Sequence, residues 1–166
     1  SKCISTLSLE DWVRTKDNVD IHLEIDPKIT IRADIQKLMQ VFLNLVLNAI
    51  QAMPHRRSGR GRVAIVSEIN EAKSQVRIAV IDNGSGIPKE NLEKLFTPFF
   101  TTKQKGTGLG LSIVHKIIEE HDGTIQVESE SGKGTAFYIT LPLVAYTEPV
   151  VAKTRGVPAL SDWAQL

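Results

Sequence analysis

The chain has 166 residues, a formal net charge of +1 and a single cysteine, Cys3. That length fits one domain with a sizeable core. The near-neutral charge gives no footing for a nucleic-acid or membrane partner, and one cysteine excludes an internal disulfide, as suits a reducing cytoplasm. No apolar run reaches membrane-spanning length and no signal peptide is visible. The abrupt start at Ser1 suggests a piece of something longer. Val19, Ile21, Leu23 and Ile25 alternate with polar residues, which predicts a half-buried strand. A long helix follows over Asp34–Met53 and stops before Pro54. His55, Arg56, Arg57, Arg60 and Arg62 form a basic run that reads as a solvated loop. Gly61–Ile69 and Gln75–Asp82 read as the two strands of a hairpin. Pro88 starts a short helix through Lys94, and Phe96–Lys105 is an irregular loop. Gly110 opens a second long helix that ends near His121, with Gly123 as its stop signal. Thr124–Ser129 and Thr135–Leu141 are two further strands. Strands and helices do not alternate as simple βαβ units, so the fold class is a two-layer α/β sandwich with a mixed sheet. From Tyr146 onward the pattern lapses, and a loose tail containing Trp163 is expected.

Four short blocks carry the chemistry. The first long helix is apolar around most of its circumference, at Leu38, Phe42, Leu45, Val46, Ala49 and Met53, and so should be buried. Yet Gln40, Asn44 and Asn48 recur every four residues as one polar stripe, which is a solvent-facing surface or the lining of a polar ligand site. The second block, Asp82-Asn83-Gly84-Ser85-Gly86-Ile87-Pro88, leaves an apolar strand. Asp-Asn-Gly is ordinary turn chemistry, but the second glycine and the closing Ile-Pro ask for more than a turn. The third, Leu95–Lys103, gathers Phe96, Phe99 and Phe100 around Pro98 and ends in Thr101, Thr102 and Lys103. The fourth, Gly106-Thr107-Gly108-Leu109-Gly110, runs into the second long helix, and glycine amides at a helix N-terminus make an anion site. Its spacing is wrong for a G-x-G-x-x-G dinucleotide fingerprint. A P-loop around Lys133 fails as well, with Val127 and Gly134 in the places of the first glycine and the hydroxyl residue. The histidines at 22, 55, 115 and 121 form no metal pattern, and none carries a phosphoacceptor signature.

In this order and spacing the blocks resemble the catalytic, ATP-binding domain of sensor histidine kinases in the GHKL ATPase superfamily, over roughly Ile21–Pro142. The resemblance implies residues 19–145 as that domain, 1–18 as a lead-in from a missing region and 146–166 as a tail. It implies ATP and Mg²⁺ as cofactors, with Asn48 as the metal ligand and Asn44 facing the phosphates. Asp82 would accept from the adenine amine, since a carboxylate is acceptor-only. Gly84 and Gly86 would let the backbone pass close to the purine, and Thr135 would support the same site. Gly106, Thr107, Gly108, Leu109, Gly110 and Leu111 would hold the phosphates. Ile87 and Phe96 would line the nucleotide site. Thr101, Thr102 and Lys103 would belong to a short lid, with Lys103 as a point-charge phosphate partner. Asn44, Asn48 and Lys103 are thus the expected catalytic residues. The implied partners are a dimerisation and histidine-phosphotransfer domain outside this chain and a response-regulator receiver domain. Two alternatives stand beside this: a stand-alone GHKL ATPase and a non-catalytic nucleotide-binding module. Hydrolases of the superfamily carry a general-base Glu where Asn44 stands, and Asn cannot take a proton.

Overall fold

The computed structural model describes residues 19–53, 61–103 and 106–144. Cys3, His55 and the arginines 56, 57 and 60, Gln104, Lys105, Trp163 and the terminal segments 1–18 and 145–166 lie outside that set. The elements in chain order are β1 (Val19–Glu24), α1 (Ile35–Gln51), β2 (Gly61–Asn70), β3 (Gln75–Asp82), α2 (Lys89–Leu92), α3 (Gly110–Glu119), β4 (Thr124–Glu130) and β5 (Gly134–Pro142). The strands form one sheet in the order β1-β2-β3-β5-β4. β1 pairs parallel to β2, and every other pairing is antiparallel. This is the mixed sheet expected from the sequence. A turn of 3-10 helix, Glu71–Lys73, closes the β2–β3 hairpin.

The register explains where the core sits. Residues paired across antiparallel strands share a face. Val63, Ile65, Val76, Ile78, Val80, Phe137, Ile139 and Leu141 therefore present one apolar surface, on which Leu38, Val41, Leu45 and Ala49 of α1 pack with Val114, Ile117 and Ile118 of α3. The opposite face holds a smaller buried cluster of Ala64, Val66, Ala79, Ile81, Ala136 and Tyr138. Arg77 lies over the Tyr138 ring at 4.1 Å, a cation–π contact.

Four local expectations are corrected. α1 is buried along one stripe only: Ile35, Met39 and Leu43, spaced by four, remain 41–47% exposed. Leu23 is exposed because β1 is an edge strand. Pro88 caps α2 in an extended conformation, and the helix begins at Lys89. At the end of α3, moreover, the residue with positive φ is Asp122, at 55°. Gly123 is there for space, since a Cβ would stand 2.6 Å from the Thr140 carbonyl oxygen.

His121 joins the two long helices. Its Nε2 accepts from the Asp34 amide at 3.0 Å, so the ring proton sits on Nδ1, which donates to the Ile117 carbonyl at 2.7 Å. Asp34 is in turn the N-cap of α1, accepting from the amides of Gln36 and Lys37. His121→Ala removes both bonds and is expected to cost about 1–3 kcal/mol of stability, the usual net value of two hydrogen bonds. Urea unfolding would read this as a lower midpoint at unchanged slope.

Candidate functional site

The apolar rows of the sheet end in a polar one. Asp82 pairs with Thr135 in β5, and Thr135 pairs with Ser129 in β4, so the three side chains stand side by side on the helix-covered face. Asp82 and Thr135 are buried, at 6% and 3% exposure. Asp82 accepts from the Gly84 amide at 2.8 Å. Burial pushes its pKa up to about 6 from 3.8, against the pull of backbone donors at Gly84 and Thr135. A desolvated carboxylate with spare acceptor capacity, set at the mouth of a turn, is chemically suited to an amine donor.

The turn after Asp82 is fixed by the protein itself. Gly86 has φ +69°, and a Cβ there would run into the Glu130 carbonyl. A Cβ on Gly84 would stand 2.8 Å from Ala52, at the end of α1. The glycines thus admit neighbouring backbone and side chain, a closer reason than clearance for a ligand. The Ser85 amide donates to the Ala52 carbonyl at 2.9 Å, and the Ile87 amide to Ser129 Oγ at 2.8 Å. Ile87 packs on the core edge, as does Phe96, whose ring lies 5.2 Å from that of His115.

The glycine loop meets the middle of α1. A Cβ on Gly110 would lie 3.5 Å from Asn44 Oδ1, so the first turn of α3 abuts the polar stripe. Leu109 is the N-cap of α3 and makes no side-chain capping bond. Among the described residues no side chain caps its first-turn amides, an arrangement that suits an anion with the helix dipole behind it. Gly108 has φ +69° and passes against the Phe99 backbone; the Phe99 amide donates to the Gly108 carbonyl at 2.9 Å. That contact ties the Phe-Thr segment to the loop. Thr107 Oγ1 accepts weakly from the Leu109 amide at 3.4 Å. Gly106 packs on Thr101 Oγ1, which accepts from the Lys103 amide at 3.1 Å, while Thr102 is exposed.

Lys103 reaches back to α1. Its Nζ donates to Asn48 Oδ1 at 2.7 Å and to Gln51 Oε1 at 2.6 Å, and desolvation lowers its pKa from the usual lysine value. One side of α1 therefore receives every block in turn: Gly110 at Asn44, Lys103 at Asn48 and Gln51, and the Asp82 turn at Ala52. Gln40 stays exposed and outside this line.

Two residues of the site escaped the sequence reading. Gln51 continues the Asn44–Asn48 stripe at the next helical step, and that spacing was the available signal. Ser129 ends the inward alternation Ile125, Val127 of β4 with a hydroxyl that donates to the Gly134 carbonyl at 2.8 Å and lies 3.0 Å from Thr135 Oγ1. Among the described residues, no three His, Cys, Asp or Glu side chains gather as a metal cluster. No described helix is long and apolar enough to cross a membrane.

This fold defines a known class. The family model described as "Histidine kinase-, DNA gyrase B-, and HSP90-like ATPase" matches residues 33–145, and the chain belongs to that family of ATP-binding domains. Among curated proteins it is similar to the sensor histidine kinase ZraS of Escherichia coli (strain K12), with 49% identity over 114 residues, 68% of this chain. The match spans only 23% of ZraS, about a quarter of that relative's length. Among solved structures it is similar to the nucleotide-free catalytic domain of histidine kinase ThkA (TM-score 0.65, 42% identity, 75% of this chain and 79% of that one). It is also similar to ThkA in the crystal structure with the response regulator protein TrrA (TM-score 0.59, 39% identity, 75% of this chain and 34% of that one).

Proposed function

We propose that residues 19–145 are the Mg·ATP-binding catalytic domain of a two-component sensor kinase. In this reading residues 1–18 lead in from a helical dimerisation and phosphotransfer domain, and residues 146–166 are a tail. The domain passes the γ-phosphoryl group of ATP to a histidine of that helical domain, and an aspartate of a response regulator receives it next. The observation that carries the reading is the convergence of the Asp82 turn, Lys103 and the α3 N-terminus on one polar side of α1. The kinase names of its relatives and the ThkA–TrrA pairing support the partners.

Asp82 accepts from the adenine amine, with Thr135 and Ser129 holding its row in place. The amides at Gly110 and beyond bind the phosphates. Asn48 Oδ1 already holds a cation, the Lys103 ammonium, at 2.7 Å. Oxygen donors of this kind fit magnesium, which shares its shell with phosphates and waters. Asn48 would hold it, and it would supply charge neutralisation during transfer. In that transfer the bond from the γ-phosphorus to the bridging oxygen breaks, a bond to an imidazole nitrogen forms, and ADP leaves. A neutral imidazole carries its own lone pair, so Asn44, which cannot take a proton, suffices beside the phosphates.

Mixed with its helical phosphoacceptor domain and γ-labelled ATP, the chain is expected to produce acid-labile label on a histidine. Alone, it should release phosphate negligibly. Brisk phosphate release by the chain alone would instead make it a hydrolase.

A further inference from the structure

We infer that Gln51 is a positioning residue that parks Lys103 on Asn48, so that the Lys103 ammonium and the nucleotide's metal take the same amide oxygen in turn. The inference rests on the Mg·ATP reading above and assigns a role to a residue that reading leaves idle. Asn48 and Gln51 are three apart on one face of α1, and the ammonium bridges them with two short bonds, 2.7 Å to Asn48 Oδ1 and 2.6 Å to Gln51 Oε1. An ammonium has three donors, and two are committed here. Asn48 Oδ1 is the same atom that would face the metal. Two cations on one oxygen repel at close range, so occupation by one excludes the other.

The backbone gives the displaced lysine somewhere to go. The Lys103 amide is bonded to Thr101 Oγ1 at 3.1 Å, and that oxygen packs against Gly106 at the head of the phosphate-facing loop. Lys103 therefore swings from a short, fixed base beside the site where phosphates would lie. Once the metal holds Asn48, the ammonium changes partner from amide oxygens to phosphate oxygens. Gln51 belongs to the first arrangement only and touches neither metal nor nucleotide. The site thus carries its own counter-cation, and metal must compete with it.

The test is calorimetric titration of Mg²⁺ into protein saturated with metal-free ADP, on wild type, Gln51→Leu, Lys103→Met and the double variant. Gln51→Leu is expected to lower the half-saturating Mg²⁺ by about fivefold, the scale of one net hydrogen bond. In the Lys103→Met background the same change should have no effect. A higher Mg²⁺ requirement in Gln51→Leu would make Gln51 a metal ligand, and an equal effect with and without Lys103 would make it merely structural; either overturns the inference. Side-chain amide NMR without any nucleotide gives a second reading. The Asn48 and Gln51 amide signals should both move in Lys103→Met, and unmoved signals would show that the lysine is not parked there. If wild type fails to bind ADP or ATP with Mg²⁺ while those signals do move, the functional reading falls and the parked lysine stands.

Discussion

Asp82→Asn is expected to give a chain that folds more stably at neutral pH and binds ATP poorly. The carboxyl is buried in the sheet row with Thr135, and its pKa rises from 3.8 to about 6. Below 3.8 folded and unfolded states are both protonated, and the group contributes nothing. As pH rises toward about 6 the unfolded chain gives up its proton first, so the folded state loses ground. Above that the penalty is constant, and the shift corresponds to about 3 kcal/mol. An amide of the same shape keeps an acceptor for the Gly84 amide and avoids the buried charge. Urea unfolding of both proteins at acid and neutral pH would show the gap opening across that window. If wild type keeps its stability there, the carboxyl is not desolvated. Binding moves the other way. The variant's amide offers donors to an adenine amine that also donates, and loss of a charged hydrogen bond costs about ten- to a hundredfold in affinity. ATP affinity of wild type should likewise weaken as pH falls below about 6, where the protonated oxygen no longer accepts. Calorimetry across that range checks it, and a flat profile would remove Asp82 from the adenine contact.

Gly86→Ala is expected to destabilise the fold by about 2–5 kcal/mol, combining left-handed strain with backbone overpacking. At φ +69° the new methyl would enter the Glu130 carbonyl, so the end of β4 or the Asp82 turn must shift. Gly132 supplies the control. It also has positive φ, at 81°, but a Cβ there meets nothing within 4 Å. Gly132→Ala should therefore cost only the strain, about 1–2 kcal/mol. Thermal melts of the two variants separate the terms. Equal losses would mean that Gly86 is kept for its dihedral alone. Weaker ATP binding should accompany Gly86→Ala, because the same turn presents Asp82.

These two positions also show what the sequence made legible. The alternation at Val19–Ile25, the short apolar runs bounded by turn residues at β2, β3 and β5, and the apolar spacing of α1 placed every element to within a few residues, since burial leaves a period of two or near four where one face is covered and a continuous apolar run where both are. Asp82 and Gly86 stood out as turn chemistry after an apolar strand. Their physical reasons did not. The collision partner of Gly86 is Glu130, forty-four positions away by number, and only pairing across the sheet brings them together. Gln51 was visible as a continuation of a stripe. Its partner Lys103 comes from a loop whose path no periodicity encodes. The exposed stripe Ile35, Met39, Leu43 went unforeseen for a related reason: composition says that a helix side is apolar, and only the layout of the sheet says which sides are covered. Asp122, in place of Gly123, took the left-handed position because Asp tolerates it and the glycine was needed against Thr140.

The position of β5 has a consequence for how this domain is made. Among the described residues, the last strand in sequence lies between β3 and β4, not at an edge. A chain emerging from the ribosome with β4 complete still lacks the strand that joins β4 to the rest. Until Gly134–Pro142 arrives, Asp82 has no Thr135 beside it and the core under α3 stays open. The polar row of Asp82, Thr135 and Ser129 is therefore completed late, only once β5 has been made.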